Sequence, residues 1–121
     1  MHLVTKNILI YQQIVRDRIS SFLVPRDYEL VLDEWDKVGF QTMLCRWSSH
    51  KMTDTLQLNW DIRERWFHLG YFERVTNLDY RQAHDLEILP VKVLMLIRRK
   101  AYANRIADKL IEKVKEHIQV A

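Results

Sequence analysis

The segment Leu56 to Val75, LQLNWDIRERWFHLGYFERV, constrains this chain more than any other stretch. Leu56, Leu58, Trp60 and Ile62 fall on one side of a period-two pattern, and Gln57, Asn59, Asp61 and Arg63 on the other. The charged residues from Asp61 to Arg65 interrupt the alternation, and a second aromatic-rich run follows from Trp66 to Phe72. Successive side chains of an extended chain point to opposite faces. Strict alternation broken by a short polar cluster therefore predicts an antiparallel hairpin with one buried face and one wet face. A β-sheet stands at the centre of the chain.

The two ends read as helix. Ile8, Tyr11, Val15, Ile19 and Phe22 recur at three- and four-residue steps, with Ile14 and Leu23 beside them. That stripe predicts an amphipathic helix from a cap at Thr5 to about Leu23, with Arg16, Asp17 and Arg18 on its far side. Val24 precedes Pro25, and a residue before proline is pushed out of the helical region, so the helix stops there. From Tyr28 to Trp35 the period returns to two, Leu30 and Leu32 alternating with Val31 and Asp33. A turn at Asp36 to Gly39 leads to a second strand at about Phe40 to Trp47, with Met43, Cys45 and Trp47 on one face and Thr42, Leu44 and Arg46 on the other. Ser48 to Thr55 reads as a flexible polar connection, and the hairpin then completes a four-stranded meander.

Beyond the sheet, Asp79 with Gln82 three residues on predicts the start of a short helix, and Pro90 fits a first helical position. Val91 to Ile97 is rich in β-branched residues and suits either a fifth strand or the opening of a long helix. No breaker separates it from Arg98, so the helix is preferred. Ala103, Ile106, Ala107, Leu110, Ile111, Val114 and Ile118 continue it as a clear apolar stripe. The expectation is a single α+β domain over residues 1–121. It comprises an N-terminal helix, a four-stranded antiparallel meander sheet, a short helix and a long C-terminal helix packed on one sheet face.

Composition narrows the function classes. With 121 residues, 48% of them hydrophobic and 29% charged, the chain can bury one core without staples and reads as a soluble globular protein. Only two Gly and two Pro leave little room for irregular loops, and nearly exclude a glycine-rich phosphate cradle. No apolar run approaches the roughly 20 residues that cross a bilayer, so no membrane partner is expected. The start of the chain lacks the pattern of a secretory signal. Cys45 is the single cysteine, which rules out an internal disulfide and points to a reducing cytoplasm.

Charge is spread unevenly. Residues 1–90 carry 11 basic and 13 acidic side chains, whereas residues 91–121 carry 8 basic and 3 acidic. On the terminal helix Arg98, Arg105, Lys109 and Lys113 lie away from the apolar stripe, and such a row can track a phosphate backbone. Glu112 and Glu116 share that side, as on an ordinary solvated helix. In the hairpin, Arg65, Trp66, Phe67, His68, Tyr71 and Phe72 supply the residue types on which single-stranded nucleic acid stacks. Core packing between helices and sheet is the plainer use of those rings.

The histidines at 2, 50, 68, 84 and 117 show no metal-binding spacing, and no metal or cofactor is expected. Cys45 falls mid-strand beside Met43 and Trp47, where a buried inert thiol is expected rather than a nucleophile. The carboxylates Asp33, Glu34 and Asp36, and Asp61 and Glu64, cluster at turns without the pattern of a metal-dependent nuclease.

Tyr11-Gln12-Gln13-Ile14-Val15-Arg16-Asp17 resembles the first helix of the element-excision controlling factors, which are small helix-plus-sheet proteins. The resemblance covers that helix alone, and the long basic helix at the other end departs from the family, so no site is carried over. The expected function is a non-catalytic binding or adaptor-type module acting through protein–protein contacts, self-associating as a homodimer or meeting a protein partner. Nucleic-acid binding by the basic terminal helix is the alternative, and an enzyme comes third. The expected interaction residues are Trp60, Trp66, Tyr71, Phe72, Arg98, Arg105, Lys109 and Lys113.

Overall fold

The alternation that begins at Leu56 folds as the middle of an antiparallel sheet. A computed structural model describes residues 3–35, 43–49, 54–61, 65–73, 84–91 and 100–120. Helix α1 spans Leu3–Leu23, and a single 3-10 turn, Val24–Arg26, follows it. Five strands come next: β1 Tyr28–Trp35, β2 Met43–Ser49, β3 Asp54–Asp61, β4 Trp66–Glu73 and β5 His84–Pro90. Helix α2, Lys100–Val120, closes the described chain. The strands lie in chain order, and every neighbouring pair is antiparallel.

Each helix buries the stripe its spacing predicts. On α1 the buried apolar residues are Ile8, Tyr11, Val15, Ile19 and Leu23, with Gln12 buried beside them and Ile14 and Phe22 packed at the margin. On α2 they are Ala103, Ile106, Ala107, Leu110, Ile111 and Val114. The helices run side by side in the same direction: Tyr11 lies near Tyr102, Arg18 reaches Asn104 and Asp108, and the ring of Phe22 lies near Lys115. Arg18 thus links α1 to α2 while staying partly exposed. Thr5 sits inside α1, because the helix starts earlier than a cap there allows.

Both helices cover one face of the sheet. Met43, Cys45, Trp47, Leu56, Leu58, Trp60, Phe67 and Leu69 point into that layer, and all are buried. Trp47 donates its indole N–H to Ser20 Oγ at 3.2 Å, joining β2 to α1. Phe67 meets Trp60 edge-on, with ring centroids 4.8 Å apart, a favourable arrangement for the ring quadrupoles.

Several expectations need correction. Among the described residues the sheet has five strands where four were expected: the chain from His84 is β5, and Pro90 ends that strand instead of opening a helix. Pro90 fits there because an edge strand can end on a residue that donates no hydrogen bond. The expected helix start at Asp79 to Gln82 lies outside the described residues, as do 92–97 of the ambiguous segment. Ser48, Ser49, Asp54 and Thr55, expected in a loop, are paired strand residues, and β2 runs on to Ser49. In β1 a bulge at Val31 breaks the simple alternation, so Leu30 pairs with Trp47 while Leu32 pairs with Arg46. A bulge sends the next residue to the other face, which is why Leu30 and Asp33 share a side.

Candidate functional site

The register places a second set of side chains on the sheet face away from the helices. Across it run Glu34, Leu44, Asn59, His68 and Ile88 in one row, and Leu32, Arg46, Gln57, Gly70 and Asp85 in the next. Asp61 and Trp66 lie beyond the first row, and Glu29, Ser48 and Thr55 beyond the second. Among the described residues no helix covers this face.

Polar neighbours on it are tied together laterally. Arg46 Nε donates to Gln57 Oε1 at 2.8 Å, and the hydroxyls of Ser48 and Thr55 are 3.0 Å apart. His68 bridges three strands, with Nδ1 3.0 Å from Asn59 Oδ1 and Nε2 2.5 Å from Asp85 Oδ1. Both ring nitrogens therefore face an oxygen of a neighbouring strand, with donor and acceptor roles set by the tautomer. Gly70 contributes no side chain between Gln57 and Asp85. Leu32, Leu44 and Trp66 are half-buried here, and Ile88 is 40% exposed.

The thiol expected to be inert sits on the opposite, helix-covered side. Cys45 Sγ is 3.3 Å from Asp33 Oδ1, whose other oxygen pairs with Arg16. Burial raises the thiol pKa well above its ordinary value, and the hydrogen bond to the Asp33 carboxylate raises it further. Nucleophilic attack needs the thiolate, the form that this burial and this carboxylate disfavour. Among the described residues no group of three His, Cys, Asp or Glu side chains is placed to hold a metal ion. Nor is any helix among them long and apolar enough to cross a membrane.

Where they are described, the residues singled out in the sequence lie on different surfaces. Trp60 points into the core, its buried indole N–H without an acceptor among the described residues, and Tyr71 faces the helices, its ring centroid 4.2 Å from that of His117. Among the aromatics whose side chains are described, Trp66 stands on the open face. Phe72 belongs to β4, but its side chain lies outside the described residues, as does all of Arg98. Arg105 and Lys109 are exposed on the outer side of α2, Arg105 with its guanidinium 5.3 Å from the Tyr102 ring centroid. Lys113 is drawn to Glu116 at 3.7 Å and to Glu87 of β5 at 4.0 Å. Lys115 pairs with Glu112 at 3.5 Å, and Asp108 is held by Arg18 at 2.5 Å. Acids interleave with the cations along the helix, which weakens any continuous track for phosphates.

Sequence reasoning missed the polar bridge on the open face. The period-two pattern already assigns Gln57, Asn59 and Asp61 to the wet side, and hairpin pairing brings His68 to Asn59. Asp85 could not be found, because its strand reads as part of a helix. Comparison of the chain with protein families, characterised proteins and solved structures finds no match to any of them.

Proposed function

We propose that this protein is a non-catalytic binding module that takes a protein partner on the sheet face opposite its helices. The observation that carries the reading is the mixed character of that face. Half-buried Leu32, Leu44 and Trp66 and the exposed Ile88 stand among polar side chains already fixed by lateral hydrogen bonds. Protein interfaces combine an apolar centre, often with tryptophan, and a polar surround. Side chains ordered before binding lose less entropy when the partner arrives. An adaptor, chaperone-like or toxin-neutralising role in a reducing cytoplasm suits such a surface, and the single thiol is consistent with that compartment.

Homodimerisation belongs to the same proposal, but not by stacking two open faces. That arrangement brings together two faces that each carry Glu29, Glu34, Asp61 and Asp85. A dimer draws on another surface, and light scattering at tens of micromolar is its check.

The face itself is tested by affinity capture with the wild-type chain and with Trp66→Ala and Ile88→Ser variants that keep the native circular dichroism. A genuine partner is lost from both variants and kept by Lys109→Gln on the outer side of α2. Retention by Trp66→Ala and Ile88→Ser removes the open face from the proposal.

A further inference from the structure

We infer that the partner segment taken by the open sheet face is cationic, carrying lysine or arginine beside apolar anchors; this rests on the binding reading above and names the partner's chemistry. The described part of the face presents four carboxylates, Glu29 and Glu34 from β1, Asp61 from β3 and Asp85 from β5. Its one guanidinium belongs to Arg46, which is only 8% exposed and bonded sideways to Gln57. Among the described side chains of this face, carboxylates thus outnumber guanidinium groups four to one.

Neighbouring strands lie about 4.8 Å apart, so carboxylates two to four strands apart frame the apolar residues at about 10–20 Å. Separations near 10 Å are comparable with the Debye length of about 10 Å at 0.1 M salt, so at low salt their potentials add over the face. The rest of the molecule has the opposite sign. The whole chain carries a formal charge of +3, and the basic excess lies in residues 91–121. A cationic ligand therefore meets, on the described part of this face, a sign opposite to that of the chain's formal charge. Polyanions meet the reverse: the aromatic and imidazole groups a nucleic acid would seek here, Trp66 and His68, have Asp61 and Asp85 beside them. The four leucine, isoleucine and tryptophan side chains between the acids supply the contact that charge alone does not hold at physiological salt.

The test uses the full chain and three fluorescent probes. Two are twelve-residue synthetic peptides with leucines at the same positions, one filled with lysine and one with glutamate; the third is a single-stranded oligonucleotide. Anisotropy at low salt is expected to show the lysine peptide binding about tenfold or more tighter than the other two, and weakening severalfold between 50 and 200 mM salt. Glu29→Gln with Glu34→Gln should weaken the lysine peptide about three- to tenfold. Arg105→Gln with Lys109→Gln should not weaken it. Equal binding of the two peptides, tighter binding of the oligonucleotide, no lysine-peptide binding up to millimolar concentration, or indifference to the glutamate substitutions each overturns the cationic class. Indifference of every probe to Ile88→Ser instead overturns the open face as the binding surface, and so separates the two failures.

Discussion

Phe67 and Trp66 are adjacent in β4 yet face opposite sides of the sheet, so truncating each in turn tests the register on which every functional statement depends. Phe67 is fully buried and meets Trp60 edge-on. Removing such a side chain forfeits its transfer free energy and leaves a cavity, so Phe67→Ala should cost about 3–5 kcal/mol. The contact with Trp60 should contribute about 0.5–1.5 kcal/mol within that cost, measurable as the coupling in a double-mutant cycle of Trp60→Leu and Phe67→Leu. Trp66 is half-buried on the open side, and Trp66→Ala should cost about 1 kcal/mol. A chain of this length has a total stability of about 6–18 kcal/mol, so both variants are expected to stay folded at room temperature. Urea titration with unchanged slope reads the difference, and the melting temperature should drop by about 10–20 °C for Phe67→Ala alone. A one-residue slip of β4 exchanges the two faces. Should Trp66→Ala prove the costlier change, the open face described here is the core and the reasoning fails.

Other expectations follow from single interactions. The folded state keeps the Cys45 thiol protonated where the unfolded chain, with an ordinary pKa near 8.5, releases the proton. The native contribution is complete below that value and declines above it, by up to about 1.4 kcal/mol per pH unit. Stability should thus fall from pH 8.5 to 10 in the wild type and fall less in Cys45→Ala; equal slopes refute the assignment. Arg65 holds a left-handed φ of 54° at the start of β4, while its carbonyl accepts the Val91 N–H at 2.8 Å. Arg65→Gly should stabilise the chain by about 0.5–1 kcal/mol, because only glycine enters that region without steric cost. Arg18 and Asp108 are both more than one-third exposed, so Arg18→Ala should cost no more than about 1 kcal/mol. Leu110→Ala, in the same helix pair but fully buried, should cost about 2–5 kcal/mol, and thermal denaturation of the two variants ranks polar clamp against apolar seam.

The helices and the central hairpin were legible because their periods are clean. Ile8, Tyr11, Val15 and Ile19 keep a helical step, and Leu56, Leu58 and Trp60 keep a strand step. The misreadings fall where the backbone departs from its period. At Val31 a bulge inserts one residue, so Leu30 and Leu32, an inward pair by alternation, go to opposite faces. At the hairpin between β2 and β3, Ser48 pairs with Thr55 through their hydroxyls, and polarity alone does not separate a wet strand end from a loop. At β5 two competing signals misled. Asp79 and Gln82 suggest a helix start and Pro90 a helical first turn, whereas tertiary pairing with β4 decides the structure of His84–Pro90.

The same strand explains why the candidate site was hidden. A second bulge lies between Leu69 and Gly70, and beyond it Glu87 pairs with Leu69 while Ile88 pairs with His68. Polarity is therefore inverted on β5. Glu87 takes the helix-covered side, where Lys113 of α2 lies 4.0 Å away, and Ile88 takes the open side. Hydropathy alone would place the isoleucine inward and the glutamate outward, and on that register Ile88 would fill the layer beneath α2. The ion pair with Lys113 lowers the cost of Glu87 at the margin of that layer, but as a partly exposed pair it adds at most about 1 kcal/mol. What fixes the inversion is the backbone ladder to β4, where a slip of one residue would also turn Leu89 away from Phe67 and unmake the Asp85 bond to His68. An exposed isoleucine beside a strand-bridging histidine is thus a consequence of register that no local pattern encodes, and it supplies the open face with an apolar anchor.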